Sequence, residues 1–493
     1  MKFIRLFRLT NIDMYIVVPV SLALLIITNL LIGLSSFRLD FSKGSAYTLS
    51  PSTKKILHSL DDVVNIKFFV SSDLPTPLLP VKAEVTDLLN EYKKEGRGKI
   101  SIKIMDPKKD PGSLEEVREL GIPELQYSQL EKNKYQLSNA YFALGIFYAD
   151  KKEVLPQATD LGNLEYNTIS LLYKLTRKES IKIAIVGMEQ AATPQQDPYV
   201  VFRNILSQQY EIIPLDLFSD SIKEIDSSYK TVVLIDSNKK KYGEKEREKL
   251  KKYVENKGKI IFLVDGVGIS DNLSTQPASH DLFSLFESWG ISLNKDFILS
   301  SSAEYVNFGN DIYQFMTPYP FWVKTNNFNK KTGYFSNVAQ LTFPWTSSVS
   351  LNNKNGLEVQ TLVSSSKSSW DQKDSYELLP QKIKQPEMKD IKVFPLVAQV
   401  QTRGGGTVVL IPSSRFLNVQ YLSKNSGNVD FIFNLVNNLA SGGALSGIRS
   451  RTVTFYPLPE LPDSTKDAVK YLDTLLLPAL LALYGGIRLM RRK

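Results

Sequence analysis

The sequence predicts an α/β protein in which two domains of alternating strands and helices lie between two membrane helices. Three observations predict this architecture. The chain has 493 residues, more than one hydrophobic core usually contains, so two or three domains are expected. Strand-like and helix-like patterns alternate through the middle of the chain. Apolar stretches without charge lie near both ends, and such stretches are typical of membrane spans.

The composition excludes several classes of chemistry. The chain has no cysteine, which excludes disulfides, thiolate zinc sites, iron–sulfur clusters and cysteine nucleophiles. Its two histidines, His58 and His280, are too few for a His-rich metal site. The net charge of +9 lies mostly at the two ends, so the sequence does not indicate a nucleic-acid partner. We therefore expect no metal, no cofactor and no nucleic acid.

The first apolar stretch, residues 14–34, is uncharged and long enough to cross a lipid bilayer as a helix. Lys2, Arg5 and Arg8 precede it, which favours a cytoplasmic location for residues 1–13. A cleaved signal peptide is the alternative. The stretch is longer than a typical signal-peptide core, however, and no clear cleavage site follows it.

The second apolar stretch is shorter. Residues 474–487 carry no charge and predict a transmembrane helix over 472–489, preceded by a linker at 444–471. A buried C-terminal helix of a soluble domain is the alternative. The basic tail at 490–493 favours the same side of the membrane as the basic N-terminus. We expect an inner-membrane protein with both termini cytoplasmic and the bulk of the chain periplasmic or otherwise extracytoplasmic.

The first domain is predicted over residues 41–178. VNIKFFVS from Val64 and KISIKIMDP from Lys99 have strand patterns, and helical spacing lies between them. Residues 141–157 form a predicted hairpin, and a closing helix follows at 165–175. The complete order, β-α-β-α-β-β-α, is that of a thioredoxin-like core. Without cysteine the domain has no dithiol chemistry and would serve in binding or structure.

The second domain, residues 180–443, is predicted to be doubly wound and Rossmann-like. Four strand patterns, IKIAIVG, EIIPLDL, TVVLID and KIIFLVD, alternate with helical patterns up to residue 265. A late strand pair encloses RGGG at 403–406, where a hairpin turn is expected rather than a phosphate-binding loop. The stretch from about 300 to 390 is irregular and gives no assignment.

Several polar residues follow predicted parallel strands, which is where ligands bind in open α/β sheets. Met188 and Glu189 follow the first strand of the second domain, Asp236 and Asp265 end two later strands, and Ser413 follows the last one. These five residues are therefore candidates for facing a ligand, and none is singled out as catalytic. The simpler alternative is that strand-end carboxylates cap helices or form turns.

The remaining chemical candidates are few. His58 falls in a helix close to the first apolar stretch and is expected on the surface. His280 begins a predicted helix over 280–289 and is expected near its N-terminal cap. No G-x-S-x-G elbow exists for a serine hydrolase. The aromatic run at 305–322 could line a sugar or peptide groove, although a role in core packing is the more common one.

Four segments of the chain together form a pattern that is found in a known family. They are residues 37–75, which carry YTLSPST before a strand, LEYNTISLLYKLTRKESIKIAIVG at 164–187, LFSLFESWGISLNKDFIL at 282–299 and GNVDFIFNLVNNLA at 427–440. With these segments the chain resembles, along almost its whole length, the GldG family of ABC-transporter auxiliary subunits. The first segment is the most specific part of the resemblance, and the second resembles the family's junction between its two domains.

The resemblance implies a large extracytoplasmic part between two membrane helices and an amidotransferase-like second domain that serves in binding. It also implies association with a permease subunit and a cytoplasmic ATPase subunit. Two segments depart from the family pattern: VGMEQ at 186–190 stands where GHGE is usual, and IPSSRFL at 411–417 where GDS-x-F is usual. Both departures weaken any ligand site inferred from the family.

The predicted function is that of a non-catalytic, membrane-anchored auxiliary subunit of an ABC transport system. It would couple the permease and the ATPase to an extracytoplasmic substrate or to an envelope partner, either glycan or protein. The alternative is an envelope hydrolase or carbohydrate-binding protein on an amidotransferase-like fold, which would need acids at the strand ends. A scaffold for gliding-motility machinery is a third reading that the sequence does not separate from the first.

Overall fold

The computed structural model describes most of residues 48–448, and outside that range only parts of 19–27 and 467–490. Within 48–448 the undescribed residues are 132–133, 178, 188–196, 237–240, 271–272, 279, 310–313, 337, 353, 355, 422–426 and 446–447. The chain divides into two compact units, Met1–Arg451 and Thr452–Lys493. Both predicted α/β domains fall in the first of these units.

The first α/β domain contains a four-stranded sheet with the strand order β2-β1-β5-β6. Strand β1 is parallel to β2 and antiparallel to β5, and β5 and β6 form the predicted hairpin. Its helices are Pro51–His58 (α1), Leu78–Glu95 (α2), Pro111–Glu119 (α3) and Leu164–Leu175 (α4). Its strands are Val64–Val70 (β1), Ile100–Met105 (β2), Leu125–Glu131 (β3), Lys134–Ala140 (β4), Phe142–Tyr148 (β5) and Lys151–Leu155 (β6).

The predicted order β-α-β-α-β-β-α is found in this domain, with two additions. Helix α1 precedes it, and the hairpin β3–β4 is inserted after α3 as a separate two-stranded sheet. Strand β1 is central because it is apolar on both faces: Ile66 and Phe68 pack on one side and Phe69 on the other. Helix α3 begins where the Asp110 side chain accepts hydrogen bonds from two backbone N–H groups.

Helix α1 is fastened to the domain by a buried polar cluster. The Ser50 side chain caps the helix by accepting from the Thr53 N–H at 3.1 Å. The Glu165 carboxylate, on helix α4, accepts from the Ser50 N–H at 2.8 Å and from the Thr53 hydroxyl at 2.6 Å. All three residues are at most 3% exposed. The YTLSPST motif therefore joins the start of the domain to its last helix.

The second α/β domain begins at strand β7 and ends at helix α8. Its helices are Val200–Ser207 (α5), Glu244–Glu255 (α6), Phe283–Ser288 (α7) and Asn428–Ser441 (α8). Its strands up to residue 300 are Lys182–Val186 (β7), Glu211–Pro214 (β8), Tyr229–Ile235 (β9), Lys259–Leu263 (β10), Val267–Ile269 (β11), Thr275–Pro277 (β12), Ile291–Leu293 (β13) and Asp296–Ser300 (β14).

The later strands include most of the stretch that the sequence left unassigned. They are Ala303–Gly309 (β15), Gln314–Thr325 (β16), Asn327–Phe328 (β17), Leu341–Pro344 (β18), Val349–Leu351 (β19), Leu357–Ser364 (β20), Ser369–Lys373 (β21), Pro395–Thr402 (β22) and Thr407–Ile411 (β23). Strands β17 and β20 extend the main sheet at one edge. Strands β22 and β23 also belong to the main sheet. Strands β15, β16 and β21 lie in small sheets and contribute to an aromatic core that includes Phe297, Tyr319, Phe321 and Trp345. Strand β18 pairs with β16, and β19 pairs with β13.

The main sheet has the order β17-β20-β22-β23-β10-β9-β7-β8 in the described residues. The strands from β23 to β8 are parallel, and the other three are antiparallel to their neighbours. Taken along the chain, the parallel strands follow the 2-1-3-4-5 order of one common doubly wound fold. The sheet is therefore mixed, where the sequence predicted a parallel one.

Both faces of the main sheet are buried, which explains why its strands are apolar without alternation. On one face Ile183 and Ile185 share a core with helices α5 and α8. On the other face Ala184 and Val186 share a core with α6 and α7. The RGGG segment forms the turn between the antiparallel strands β22 and β23, with Gly405 at φ 93°, as predicted.

The two α/β domains share one hydrophobic interior. A single cluster of buried residues runs from Leu49 and the strands of the first sheet to helix α8 and Ile448. Within it the rings of Tyr166 and Phe433, one from each domain, meet edge to face with centroids 5.5 Å apart. The domains predicted separately from the sequence are therefore packed as one body.

No helix among the described residues is both long and apolar enough to cross a bilayer. Most of the two predicted spans, 14–34 and 472–489, lie outside the described residues, so this structure does not support the two flanking membrane helices. The parts that are described are helical. Their large apolar side chains are more than half exposed, and include Val20, Leu22, Ile26, Ile27, Leu472, Leu475, Leu476 and Leu483.

Candidate functional site

The carboxyl ends of β7, β9, β10 and β23 meet at one edge of the main sheet. Asp236 directly follows β9. One residue separates Asp265 from the end of β10, and one separates Ser413 from the end of β23. Because these strands are parallel neighbours, the structure brings these three predicted residues to the same edge. The other two predicted residues, Met188 and Glu189, lie outside the described residues.

The chain comes unusually close to itself at this edge. Gly187, directly after β7, has φ 83°, a conformation that residues with a side chain rarely adopt. A Cβ at this position would lie 1.9 Å from the carbonyl oxygen of Ile235 on β9. Glycine is therefore required where the chain leaves β7 at the point at which strand order reverses.

Asp265 is the centre of the edge. Its side chain accepts from the Ser414 N–H at 2.7 Å and from the Ser414 hydroxyl at 2.6 Å. Arg415 Nη1 lies 3.4 Å from the same carboxylate. Burial raises the pKa of the Asp265 carboxyl, and Arg415 and the Ser414 donors oppose that rise. The carboxylate thus holds the loop that follows β23, across 149 residues of sequence.

Arg415 has a second set of contacts that fix its position. Its Nη2 donates to the backbone oxygen of Ile269 at 2.6 Å. Its guanidinium carbon lies 5.6 Å from the ring centroid of Trp345 and 6.0 Å from that of Tyr421. The arginine therefore joins three parts of the domain: the end of β10, the strand β11 and the aromatic core that contains Trp345.

His280 is buried beside Asp265. Its Nδ1 accepts from the Leu282 N–H at 3.3 Å, so in this arrangement Nε2 carries the proton and donates to the Asp265 backbone oxygen at 2.7 Å. Burial lowers the pKa of His280. The prediction of a helix starting at His280 is wrong, because helix α7 begins at Phe283 and His280 instead closes the turn before it.

Two buried tyrosines at this edge, Tyr199 and Tyr242, have raised pKa values. Burial raises the pKa of Tyr199, and the Asp265 and Asp236 carboxylates raise it further. Burial likewise raises the pKa of Tyr242, with a contribution from Asp236. Beside them, the Asp197 carboxylate accepts from Arg203 Nε at 2.9 Å. The edge therefore gathers three acids, two arginines and two tyrosines around the strand ends.

Ser413 does not face an open site. Its side chain is fully buried and donates to the Pro344 carbonyl oxygen at 2.7 Å. A second carboxylate-to-serine arrangement lies close by: Asp296 accepts from the Ser348 N–H at 2.8 Å and from the Ser348 hydroxyl at 2.6 Å. Burial raises the pKa of Asp296. The Ser413 bond attaches the end of β18 to the loop after β23 of the main sheet, and the Asp296 bonds join β14 to the segment before β19.

A cavity of about 400 Å³ opens next to this network. Gly266 and Phe283 line it, and Phe283 stacks on His280 with ring centroids 4.9 Å apart. Lys295, Asp374 and Tyr376 supply polar groups to its wall. Its volume is in the range of small-molecule sites, and its lining combines an aromatic ring with a few polar groups. In the part of the edge that the structure describes, this cavity is a place where a ligand would fit.

The other predicted residues have local roles. His58 is exposed and lies 3.1 Å from the Glu95 carboxylate, with which it pairs when protonated. In the aromatic run, Tyr319 and Phe321 are fully buried, whereas Tyr305 is 58% exposed. Among the described residues no group of three or more histidine and acidic side chains could hold a metal ion.

Sequence reasoning found Asp265 but missed its partners. Ser414, Arg415 and His280 are the residues that hold it, and Tyr199 lies within range of its charge. The available signal was the segment IPSSRFL, which directly follows an apolar parallel strand and contains both Ser414 and Arg415. Nothing local in the sequence connects that segment with Asp265.

Comparisons with known proteins place these features in context. Residues 181–408 match the model of a family described as "ABC-type uncharacterized transport system" (ABC_transp_aux). Residues 43–146 match a domain of unknown function, DUF7088. An uncharacterized protein of Borreliella burgdorferi (strain ATCC 35210) is 27% identical over 352 residues, covering 70% of this chain and 68% of that protein. The match to the first family supports an accessory role in an ABC transport system.

Solved structures give lower similarity. The mmIFT52 N-terminal domain is 17% identical with a TM-score of 0.36, covering 53% of this chain and 98% of its own. A ThuA-like protein from Bacteroides uniformis ATCC 8492 is 12% identical with a TM-score of 0.31, covering 55% of this chain and 97% of its own. These similarities are too low to carry an inference about function.

Proposed function

We propose that this chain is a non-catalytic, membrane-anchored auxiliary subunit of an ABC transport system of the GldG type. It would accompany a permease subunit and a cytoplasmic ATPase subunit, with its two α/β domains outside the cytoplasm. The observation that carries the proposal is the family match over residues 181–408, which includes most of the doubly wound domain. The resemblance of the YTLSPST segment to the same kind of subunit adds to it.

The exposed apolar side chains near both ends support the membrane anchor. Leu22 and Ile26 near the start, and Leu475 and Leu483 near the end, are all helical and more than half exposed. Exposing many leucine and isoleucine side chains on one helix is unfavourable in water, whereas lipid-facing helices normally carry them. Basic residues flank both segments on their outer sides, which supports cytoplasmic termini.

The strand-end network supports a role without catalysis. The Asp265 carboxylate already serves Ser414 and Arg415, and His280 is held as a neutral imidazole by bonds at both nitrogens. A catalytic acid or base must exchange a proton with a substrate within hydrogen-bond reach. Groups that hold the backbone in place are poorly disposed to do so, and binding in the adjacent cavity fits the geometry better.

The test is a tagged purification of the full chain from its native membrane in mild detergent, followed by mass spectrometry. We expect a multi-span permease and a Walker-motif ATPase in fixed ratio with the chain. A double variant, Leu22→Asp with Ile26→Asp, should lose the membrane fraction and both partners. The matched control is Val63→Asp, the same kind of change at an apolar residue 43% exposed next to β1, which should keep both.

Recovery of the wild-type chain alone, stable and monodisperse, would contradict this proposal. An envelope hydrolase would then be the function to examine. The variant Asp236→Asn would test it, because Asp236 lies at the strand-end edge without being part of the Asp265–Ser414 contact. Loss of a measured hydrolytic activity in that variant, with an unchanged thermal melt, would establish the enzyme reading.

A further inference from the structure

A second cavity, of about 530 Å³, lies where the two α/β domains meet. Its wall comes from strand β6, the residues after helix α4, and the segment that leads into β8. Its lining includes Lys152, Arg177, Gln209 and Glu211. It lies at the amino ends of β7 and β8, opposite to the strand-end edge, and its lining shares no residue with the cavity beside Asp265.

Arg177 lies in the wall of this cavity, and one side of its guanidinium is unpaired. Its guanidinium lies over the ring of Tyr173, 3.8 Å from the centroid, and Nη1 donates to the Gln209 carbonyl oxygen at a long 3.4 Å. Nε and Nη2 are buried and have no hydrogen-bond partner among the described residues. These two nitrogens form one side of the guanidinium, the fork that binds two oxygens of a carboxylate or phosphate.

Gln209 is the second unsatisfied group. The residue is only 3% exposed, and neither its amide nitrogen nor its amide oxygen has a partner among the described residues. Buried polar side chains are nearly always hydrogen-bonded, because leaving them unpaired is costly. Two adjacent residues with four unpaired polar atoms in the wall of one cavity indicate a ligand that satisfies them.

The charged side chains around Arg177 select the sign of that ligand. Three acidic residues line the wall: Glu153 pairs with Lys174 at 2.7 Å, Glu211 accepts from Ser180 at 2.8 Å, and Glu179 is exposed. Lys151 donates to the Arg177 carbonyl oxygen at 2.9 Å and lies at the exposed rim together with Lys152. The four basic side chains of the lining, Lys151, Lys152, Lys174 and Arg177, outnumber the acidic ones, which favours an anion.

We propose that this cavity binds a small molecule bearing a carboxylate or phosphate group. Its oxyanion sits on the Nε and Nη2 edge of Arg177, and a neighbouring polar group of the ligand bonds the Gln209 amide. The long Nη1 contact lets the guanidinium turn that edge toward the cavity at little cost. The volume exceeds a single anion and suits a small organic acid or phosphoester.

The test is calorimetric titration of the full chain with inorganic phosphate and with succinate, at constant ionic strength set by chloride. We expect saturable binding of at least one of them, and the tighter of the two identifies the oxyanion. Arg177→Gln should weaken that binding by about tenfold or more. Arg247→Gln, a control that removes an arginine paired with Asp281 and absent from the cavity lining, should bind as the wild type does.

Gln209→Leu distinguishes a ligand site from a packing residue. An apolar side chain of similar size removes the unpaired amide, so we expect a rise in Tm of about 2 °C or more together with weaker anion binding. Three results would each overturn the proposal: no saturable binding of either anion to the wild type, equal binding by Arg177→Gln, or a lower Tm in Gln209→Leu. Permease recovery is unaffected by any of them, so the proposed function is tested separately.

Discussion

Replacing Glu165 by alanine should weaken the attachment of helix α1 to the first domain and lower the free energy of unfolding. The wild-type carboxylate accepts two hydrogen bonds, from the Ser50 N–H at 2.8 Å and the Thr53 hydroxyl at 2.6 Å, and is 1% exposed. A hydrogen bond to a charged group contributes about 1.5–3 kcal/mol, and both donors would be left buried without this acceptor. The expected loss in the free energy of unfolding is therefore about 3–6 kcal/mol.

The assay is urea unfolding of the full chain followed by circular dichroism at 222 nm. Glu153→Ala is the matched control, because Glu153 is 26% exposed and pairs with Lys174 at the surface. Such a pair contributes about 0–1 kcal/mol. A double-mutant cycle of Glu165→Ala with Thr53→Val should show a coupling energy of at least about 1 kcal/mol. Equal losses for Glu165→Ala and the control, or no coupling with Thr53, would refute the reasoning.

Three further predictions concern the second domain. Gly187→Ala should lower Tm far more than Gly442→Ala: both have φ above +60°, but the added methyl meets a backbone oxygen at 1.9 Å in the first and open space in the second. Equal melts would contradict this. Arg415→Met should cost about 3–5 kcal/mol in urea unfolding because it leaves Asp265 buried without its cation, and adding Asp265→Asn should recover part of that loss. No recovery in the double variant would count against the pairing. Burial raises the pKa of Asp296, so its contribution to stability is present below about pH 4 and is lost as pH rises through the raised value. Asp296→Asn should therefore gain stability relative to the wild type as pH rises from 4 to 7, and a pH-independent difference between their unfolding curves would rule this out.

Much of the two sheets could be predicted from the sequence because local pattern determines it. Strands β7, β9, β10 and β23 are short apolar runs, as expected where helices cover both faces of a parallel sheet. Helix α6, residues 244–255, lies between the strand patterns TVVLID and KIIFLVD, where a helical pattern is predicted, because its charged and apolar positions repeat with helical spacing. These elements can be recognised from their own residue patterns, without knowledge of the segments that pack against them.

The elements that sequence reasoning missed depend on distant partners. Strand β14 pairs with β21 and β13 with β19, so the region after residue 300 is stabilised by contacts between segments far apart in the chain. The hairpin β3–β4 is rich in glutamine, serine and asparagine, which have little strand propensity. The same limit applies to the candidate site, where Asp265 could be picked as a strand-end acid but Ser414 and Arg415 could not be assigned to it.

The common interior of the two α/β domains has a mechanical consequence. Leu49 near one apolar segment and Ile448 near the other are buried in the same cluster, and close-packed side chains transmit strain with little give. A force applied at Leu49 or Ile448 is therefore transmitted through this shared core, without a hinge between the two α/β domains. The Tyr166–Phe433 contact is one of the contacts between the two domains through which the force is transmitted.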